Sequence, residues 1–242
     1  MANINRSWKR LLAVGCSHGH LANPQAQATV LKFKRSWRPQ VTFELGDFLD
    51  TTAFRAGAQG TPDEGTPIAP DYDAGIKWLR RLEATHVCFG NHEDRLFRLR
   101  NSPNAIVAHC AGVVLEGIYG VLDDLGAKSR IYDMEQGWFK LGDTLFGHGY
   151  MFNEMALRDH AETFGRCVIA HLHKPGVMTG RRLDHPTGYC VGTLSDIPAM
   201  SYAKTKRARL SWGHGLVYGE YCDNETRLWL AEEQGGVWHL PK

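Results

Sequence analysis

Short apolar runs that end in glycine recur along the chain, with amphipathic stretches between them. RLLAVG (10–15), VTFELG (41–46) and THVCFG (85–90) read as buried strands. PQAQATVLKFKRSW (24–37) carries apolar or small residues at helical spacing, with Pro24 suited to a first turn. DAGIKWLRRLEA (73–84) reads as an amphipathic helix, and EDRLFRLRN (93–101) resumes the helical period. Strand, helix, strand, helix, strand, helix predicts an α/β layer with mostly parallel strands. The Gly-, Pro- and Thr-rich stretch 51–73 predicts a long loop insertion. In the second half, GWFKLG-DT-LFGHG (137–149) predicts a hairpin and NEMALRDHAETFG (153–165) a helix closed by Gly165. RCVIAHLH (166–173) predicts another strand, with short strand-like runs to GVWHL (236–240). No repeat, low-complexity tract or linker interrupts the pattern. The expectation is a single domain over 1–242, with two packed mixed sheets and helices outside.

Composition narrows the function classes. Among 242 residues, 28 Lys and Arg stand against 26 Asp and Glu, so nucleic-acid binding would need a local basic patch. Six scattered cysteines (16, 88, 110, 167, 190, 222) contain no C-x-x-C and read as reduced thiols of a cytoplasmic protein. MANINRSWKR lacks the apolar core of a signal peptide, and no run is expected to approach a membrane span. Twelve histidines are many for this length, and histidine is the commonest metal ligand.

Five motifs fall where strands end: CSHGH (16–20), GDFLD (46–50), GNHED (90–94), GHG (147–149) and AHLH (170–173). Strand-end loops gather distant side chains into one crevice, and each motif offers thiol, imidazole, carboxylate or amide donors. Their order resembles the D-x-H, G-D-x-x-D, G-N-H-[DE], G-H and G-H-x-H series of the calcineurin-like metallophosphoesterases. GDFLD and GNHED match in full, Ala170 replaces a glycine, and Cys16 stands where that family has aspartate. The form GNHEDRLFR and the chain length are similar to phage-type members.

The resemblance implies an αββα sandwich and two divalent cations (manganese, iron or zinc) about 3.5–4 Å apart, which clamp a phosphoryl group and activate a water. One cation would take Cys16, His18, Asp47 and His173; the other would take Asp47, Asn91, His148 and His171. His92 would protonate the leaving oxygen or stabilise the transition state, and Asp50 would orient His92. As a soft ligand, Cys16 would favour zinc or iron; alternatively, it points away and His20 or water compensates.

Beyond the motifs, His20 and Arg95 are candidate substrate contacts, although Arg95 is equally placed for an exposed helix face. His86, His109, His160, His185, His214 and His239 lack motif context and read as packing or surface residues. The basic run KTKRAR (204–209), with Tyr202 and Trp212 nearby, could track a polynucleotide or simply be solvated. The expected activity is phosphoester hydrolysis, with a phosphodiesterase or nuclease first. A phosphomonoesterase, or a non-catalytic binding module with a degenerate first site, is the alternative. No cysteine pair has the spacing of a structural zinc site.

Overall fold

The computed structural model describes residues 7–200 and 207–241. Chain order is β1 (Lys9–Val14), α1 (Pro24–Trp37), β2 (Val41–Glu44), α2 (Ile68–Leu82), β3 (His86–Cys88), α3 (Asn91–Leu99), α4 (Ala105–Leu125) and β4 (Lys128–Arg130). Then come β5 (Phe139–Leu141), β6 (Thr144–Phe146), α5 (Ala156–Phe164), β7 (Cys167–Ile169), β8 (Gly176–Thr179), β9 (Thr187–Cys190), β10 (Gly215–Cys222), β11 (Glu225–Gln234) and β12 (Val237–Trp238). One sheet has the order β12-β11-β10-β1-β2-β3-β4 and the other β5-β6-β7-β9-β8. Both are mixed. β1 to β4 run parallel while β10 joins β1 antiparallel; β6, β7 and β9 are parallel between antiparallel edges.

Strand alternation builds the layers. Leu11 and Ala13 face inward with Phe43, Phe146, Val168 and Val217, forming the core between the sheets. Leu12 and Val14 face outward, onto Val30 of α1, Leu79 of α2 and Leu115 of α4. Cys167 and Ile169 face the other way from Val168, onto Leu157 of α5. This is the expected αββα sandwich.

The pattern reading has no element at 105–125, where the structure has the 21-residue α4. The sequence carries both a start and a stop signal: the Asn104 side chain accepts from Ile106 and Val107 N–H, and Gly126 takes a left-handed conformation after the last turn. The helix is long and apolar enough to cross a membrane by length and composition, which corrects the expectation that no run approaches a span. Gly, Ala and Val dilute its helical period and mask it in the pattern; Ala111, Leu115, Ile118, Val121 and Leu122 are its buried stripe. α2 also begins earlier than its period implies, at Ile68, so the 51–73 insertion is shorter than expected and carries two short 3₁₀ turns.

Candidate metal centre

β1, β2, β3, β6 and β7 present their C-terminal ends to the same edge of the sandwich, the usual place for a site in open α/β sheets. Backbone bonds lace the strand-end loops together: Cys16 N–H to Gly46 O (2.8 Å), His18 N–H to Asp47 O (2.9 Å) and Ala170 N–H to His148 O (3.0 Å). Two glycines permit the closest approach. A Cβ on Gly90 would lie 2.1 Å from Asp47 Oδ1, and one on Gly46 would lie 2.6 Å from Gly90 N.

Three donor groups form among the described residues; two of them contain Asp47, and the third is His18, Asp50 and His92. Ligand atoms of Cys16, His18, Asp47 and His173 lie within 4.8 Å of one another, as do those of Asp47, His148 and His171. In the first group, His18 Nδ1 donates to Asp50 Oδ1 (2.9 Å), leaving its Nε2 lone pair 3.0 Å from His173 Nε2. His173 Nδ1 is buried with no hydrogen-bond partner among the described residues. In the second, His148 Nδ1 donates to Leu45 O (2.7 Å), so its Nε2 faces Asp47 Oδ2 at 3.2 Å. Asn91 Oδ1 lies 3.0 Å from that Nε2 and 2.9 Å from His171 Nδ1. Acceptor atoms this close require protons or cations between them. Outer carbonyl and carboxylate partners that fix the imidazole tautomer are typical of metal sites.

The backbone carries strain at the same residues. Cys16, His18, Asp47, His171 and His173 all have positive φ, between 54° and 61°. For side-chain-bearing residues this costs on the order of 1–2 kcal/mol each, and such strain clusters at functional sites.

Electrostatics point the same way. Burial lowers both His171, to about 3 with help from His148, and His173, with help from His18, so both are neutral with lone pairs available. Burial pushes the Asp47 carboxyl up, but His148, His92 and His18 outweigh it and hold the group ionised. Cys16 is fully buried (0% exposed) and accepts a hydrogen bond from His171 N–H (3.2 Å). Burial, and then the Asp47 charge, push its thiol well above the usual range. A dication beside the sulfur would reverse that balance. The donor set therefore fits two cations, one with mixed S, N and O ligands and one with N and O ligands.

His92 and Asp50 sit beside the shared carboxylate. His92 Nδ1 lies 2.6 Å from the Asp50 backbone carbonyl and 3.4 Å from the Asp50 carboxylate, and its Nε2 points inward, 3.9 Å from Asp47 Oδ2. Asp50 thus aims His92 mainly through its carbonyl, while its carboxylate holds His18. Burial raises the Asp50 carboxyl, but hydrogen bonds from His18 and His92 prevail and keep it well below the carboxylate range. Arg95 Nη1 donates to Asp50 O (2.9 Å) and Thr51 Oγ1 (3.2 Å), so these bonds brace the loop. His20 sits at the rim with Nδ1 3.1 Å from Asp71 Oδ1, a bond that raises the imidazole's pKa.

Two supporting acids escaped the sequence reading. Asp71 of α2 accepts from Asp50 N–H (3.0 Å) and Thr51 N–H (2.8 Å) as well as from His20. Glu93 accepts from Asp47 N–H (2.9 Å), Leu49 N–H (2.8 Å) and Gly90 N–H (2.7 Å), tying the β2 and β3 loops together. Burial, then Asp47, push Glu93 up to about 7. Glu93→Gln turns one charge-assisted bond into two N–H groups facing each other. The expected loss is about 2–3 kcal/mol of stability, read as a lowered urea midpoint with unchanged m-value. An unchanged midpoint would show that the three bonds do not hold the loops.

Of the other histidines, His160 packs under the site, accepting Tyr150 N–H (2.8 Å), and His86 packs on Phe43 and Phe139. Trp212 stacks edge-on against His173 at 4.4 Å. Tyr202 and residues 204–206 of the basic run lie outside the described residues.

No family model and no curated protein sequence matches the chain. Among solved structures, a metallophosphoesterase from Sphaerobacter thermophilus is similar at 16% identity, TM-score 0.48, covering 94% of this chain and 89% of that one. A mutant of Vps29 from Entamoeba histolytica is similar at 14% identity, TM-score 0.47, covering 95% of each. The nuclease MPE of Pseudomonas putida is similar at 13% identity, TM-score 0.40, covering 91% and 86%. With TM-scores below 0.5, these likenesses carry no weight for activity. What bears on chemistry is the chain's own convergence of thiol, imidazoles, amide and one shared carboxylate.

Proposed function

We propose that this chain is a metal-dependent hydrolase of phosphate esters, acting by preference on phosphodiesters. The observation that carries the reading is the Asp47 carboxylate lying in two donor groups at once. Cys16, His18, Asp47 and His173 would hold one divalent cation; Asp47, Asn91, His148 and His171 would hold the other. Such a pair supplies Lewis-acid polarisation of phosphoryl oxygens and lowers the pKa of water.

The remaining chemistry belongs to side chains. His92, with Nδ1 pinned to the Asp50 carbonyl, presents Nε2 to the reacting centre, where a proton on it can pass to the departing oxygen. Asp50 fixes His18 and His92 together, so donor and acid keep one geometry. His20, held by Asp71 at 3.1 Å, stands at the rim where a phosphate would enter, and that bond raises its pKa.

Cys16 sets the metal preference. Cys16→Asp is expected to move the optimum from zinc or iron towards manganese. Cys16→Ser is expected to weaken zinc retention by more than the roughly 10–100-fold of an outer-shell change. Metal content after dialysis and activity against metal type check both; identical preference in wild type and both variants would remove sulfur from the ligand set. A second reading, a binding module with a weakened first site, draws on one observation, the upward push on the Cys16 thiol. Bis-p-nitrophenyl phosphate, p-nitrophenyl phosphate and single-stranded DNA, each with manganese, zinc and iron, decide among these readings. Diester turnover supports the proposal, monoester turnover alone favours the phosphomonoesterase, and none with any metal favours the binding module.

A further inference from the structure

A groove of about 740 Å³ opens between the 152–157, 172–178 and 207–211 segments, within the size range of small-ligand sites. Both of its walls spring from loops that carry candidate ligands. One wall begins just after His148 and brings Phe152, Asn153, Glu154 and Met155. The other is the 171–178 segment, where His171 and His173 join the metal centre while the alternate residues Leu172 and Lys174 line the groove. Arg207, Leu210 and Ser211 close the far side. The residue after Ser211 is Trp212, whose ring packs on His173. The groove therefore adjoins the ligand-bearing loops through the backbone of residues 171–174 and 211–212.

Its chemistry is unusual for a surface. Phe152 is 86% exposed and Leu210 88% exposed, with Met155 and Val177 also exposed. Clustered apolar exposure of this kind marks binding surfaces. Two cations, Lys174 and Arg207, share the groove with one acid, Glu154. Arg207 belongs to the most basic run of the sequence. Sequence-tolerant single-strand sites combine aromatic faces for bases with cations that follow the phosphates.

We infer that this groove binds the nucleotides flanking the scissile phosphate of a single-stranded nucleic acid, with Phe152 stacking on a base and Lys174 and Arg207 each pairing with a phosphate. This deepens the phosphodiester reading and rests on it for cleavage, but binding can be measured apart from cleavage. A duplex would hide its base faces from Phe152, so single strands should be preferred.

The test is fluorescence anisotropy with a labelled, phosphorothioate-linked oligothymidylate, on wild type, Phe152→Ala and the Lys174→Ala/Arg207→Ala pair, across a salt series. These side chains lie at the surface, so the fold should survive; circular dichroism confirms it. Phe152→Ala is expected to weaken binding by about tenfold, a typical stacking loss. The double variant is expected to reduce the slope of log K against log salt by about 1.4, two single-strand phosphate contacts at about 0.7 each. The inference is overturned by wild type that does not bind the oligonucleotide, by unchanged affinity in Phe152→Ala, by an unchanged salt slope in the double variant, or by a duplex bound as tightly. Bis-p-nitrophenyl phosphate turnover by wild type judges the phosphoester reading separately, because that substrate has no base to stack.

Discussion

Asp47→Asn is expected to remove hydrolysis by at least about a thousandfold, because several kcal/mol of charge stabilisation leave with the carboxylate and each 1.36 kcal/mol is a factor of ten. The substitution is chosen so that little else changes. Asparagine tolerates the left-handed backbone at this position (φ 55°), where alanine would be strained. Its amide oxygen can still accept the His92 N–H that Asp47 Oδ1 accepts at 3.0 Å. What disappears is the negative charge within reach of His148, His92 and His18. Metal content is expected to fall in both donor groups together, since both contain this side chain. A variant that keeps two cations per chain and wild-type turnover would remove Asp47 from its shared role.

His92→Ala is expected to separate chemistry from metal binding. His92 lies outside the two donor groups that share Asp47, so metal content should stay at the wild-type value. The rate constant is expected to fall by about 10²–10⁴, the usual worth of a positioned acid. The fall should depend on the leaving group. Departure of p-nitrophenolate needs little protonation, whereas a nucleoside or alkyl alkoxide needs a full proton. A loss confined to poor leaving groups assigns His92 as the acid. An equal loss across leaving groups would leave only transition-state stabilisation, and no loss would end its catalytic role. The same comparison on Asp50→Asn adds a check, because Asp50 reaches His92 mainly through a backbone carbonyl that this variant retains. Its larger expected effect is on His18, which loses its ionised partner.

Much of the scaffold was legible because the chain announces it locally. α1 falls at 24–37 as its period and Pro24 imply, and Gly165 ends α5. The two sheets follow from short apolar runs ending in glycine, and the five motifs fall at strand ends as read. What escaped depended on partners far away in the chain. Glu93 looked like part of a motif, yet its three N–H donors come from residues 47, 49 and 90. Asp71 lay in a stretch read as loop, and only the early start of α2 brings it against His20, Asp50 and Thr51. α4 is hard to read because a Gly-, Ala- and Val-rich helix has a shallow period, although its two caps are written in Asn104 and Gly126. Arg95 read as a candidate phosphate contact, and the structure shows it bonded to the 50–51 backbone. No local pattern reveals the positive φ values at five candidate ligands, since residue type alone would have placed glycine there.

Glycine placement explains why the ligand loops can meet. Gly46 and Gly90 touch across the site, and Gly15 leaves room for the Cβ of Ala170, 2.8 Å from where its own would be. The alanine in the fifth motif is thus matched by the glycine just before the first, and the departure from the G-H-x-H pattern is absorbed by packing.

The most direct measurement is anomalous diffraction at the metal edges from crystals grown with zinc or manganese. Expected are two peaks about 3.5–4 Å apart, with Asp47 bridging them, Asn91, His148 and His171 around one, and Cys16 Sγ beside the other. A single peak, or two peaks that do not both touch Asp47, would contradict the shared-carboxylate centre on which the proposed hydrolysis stands.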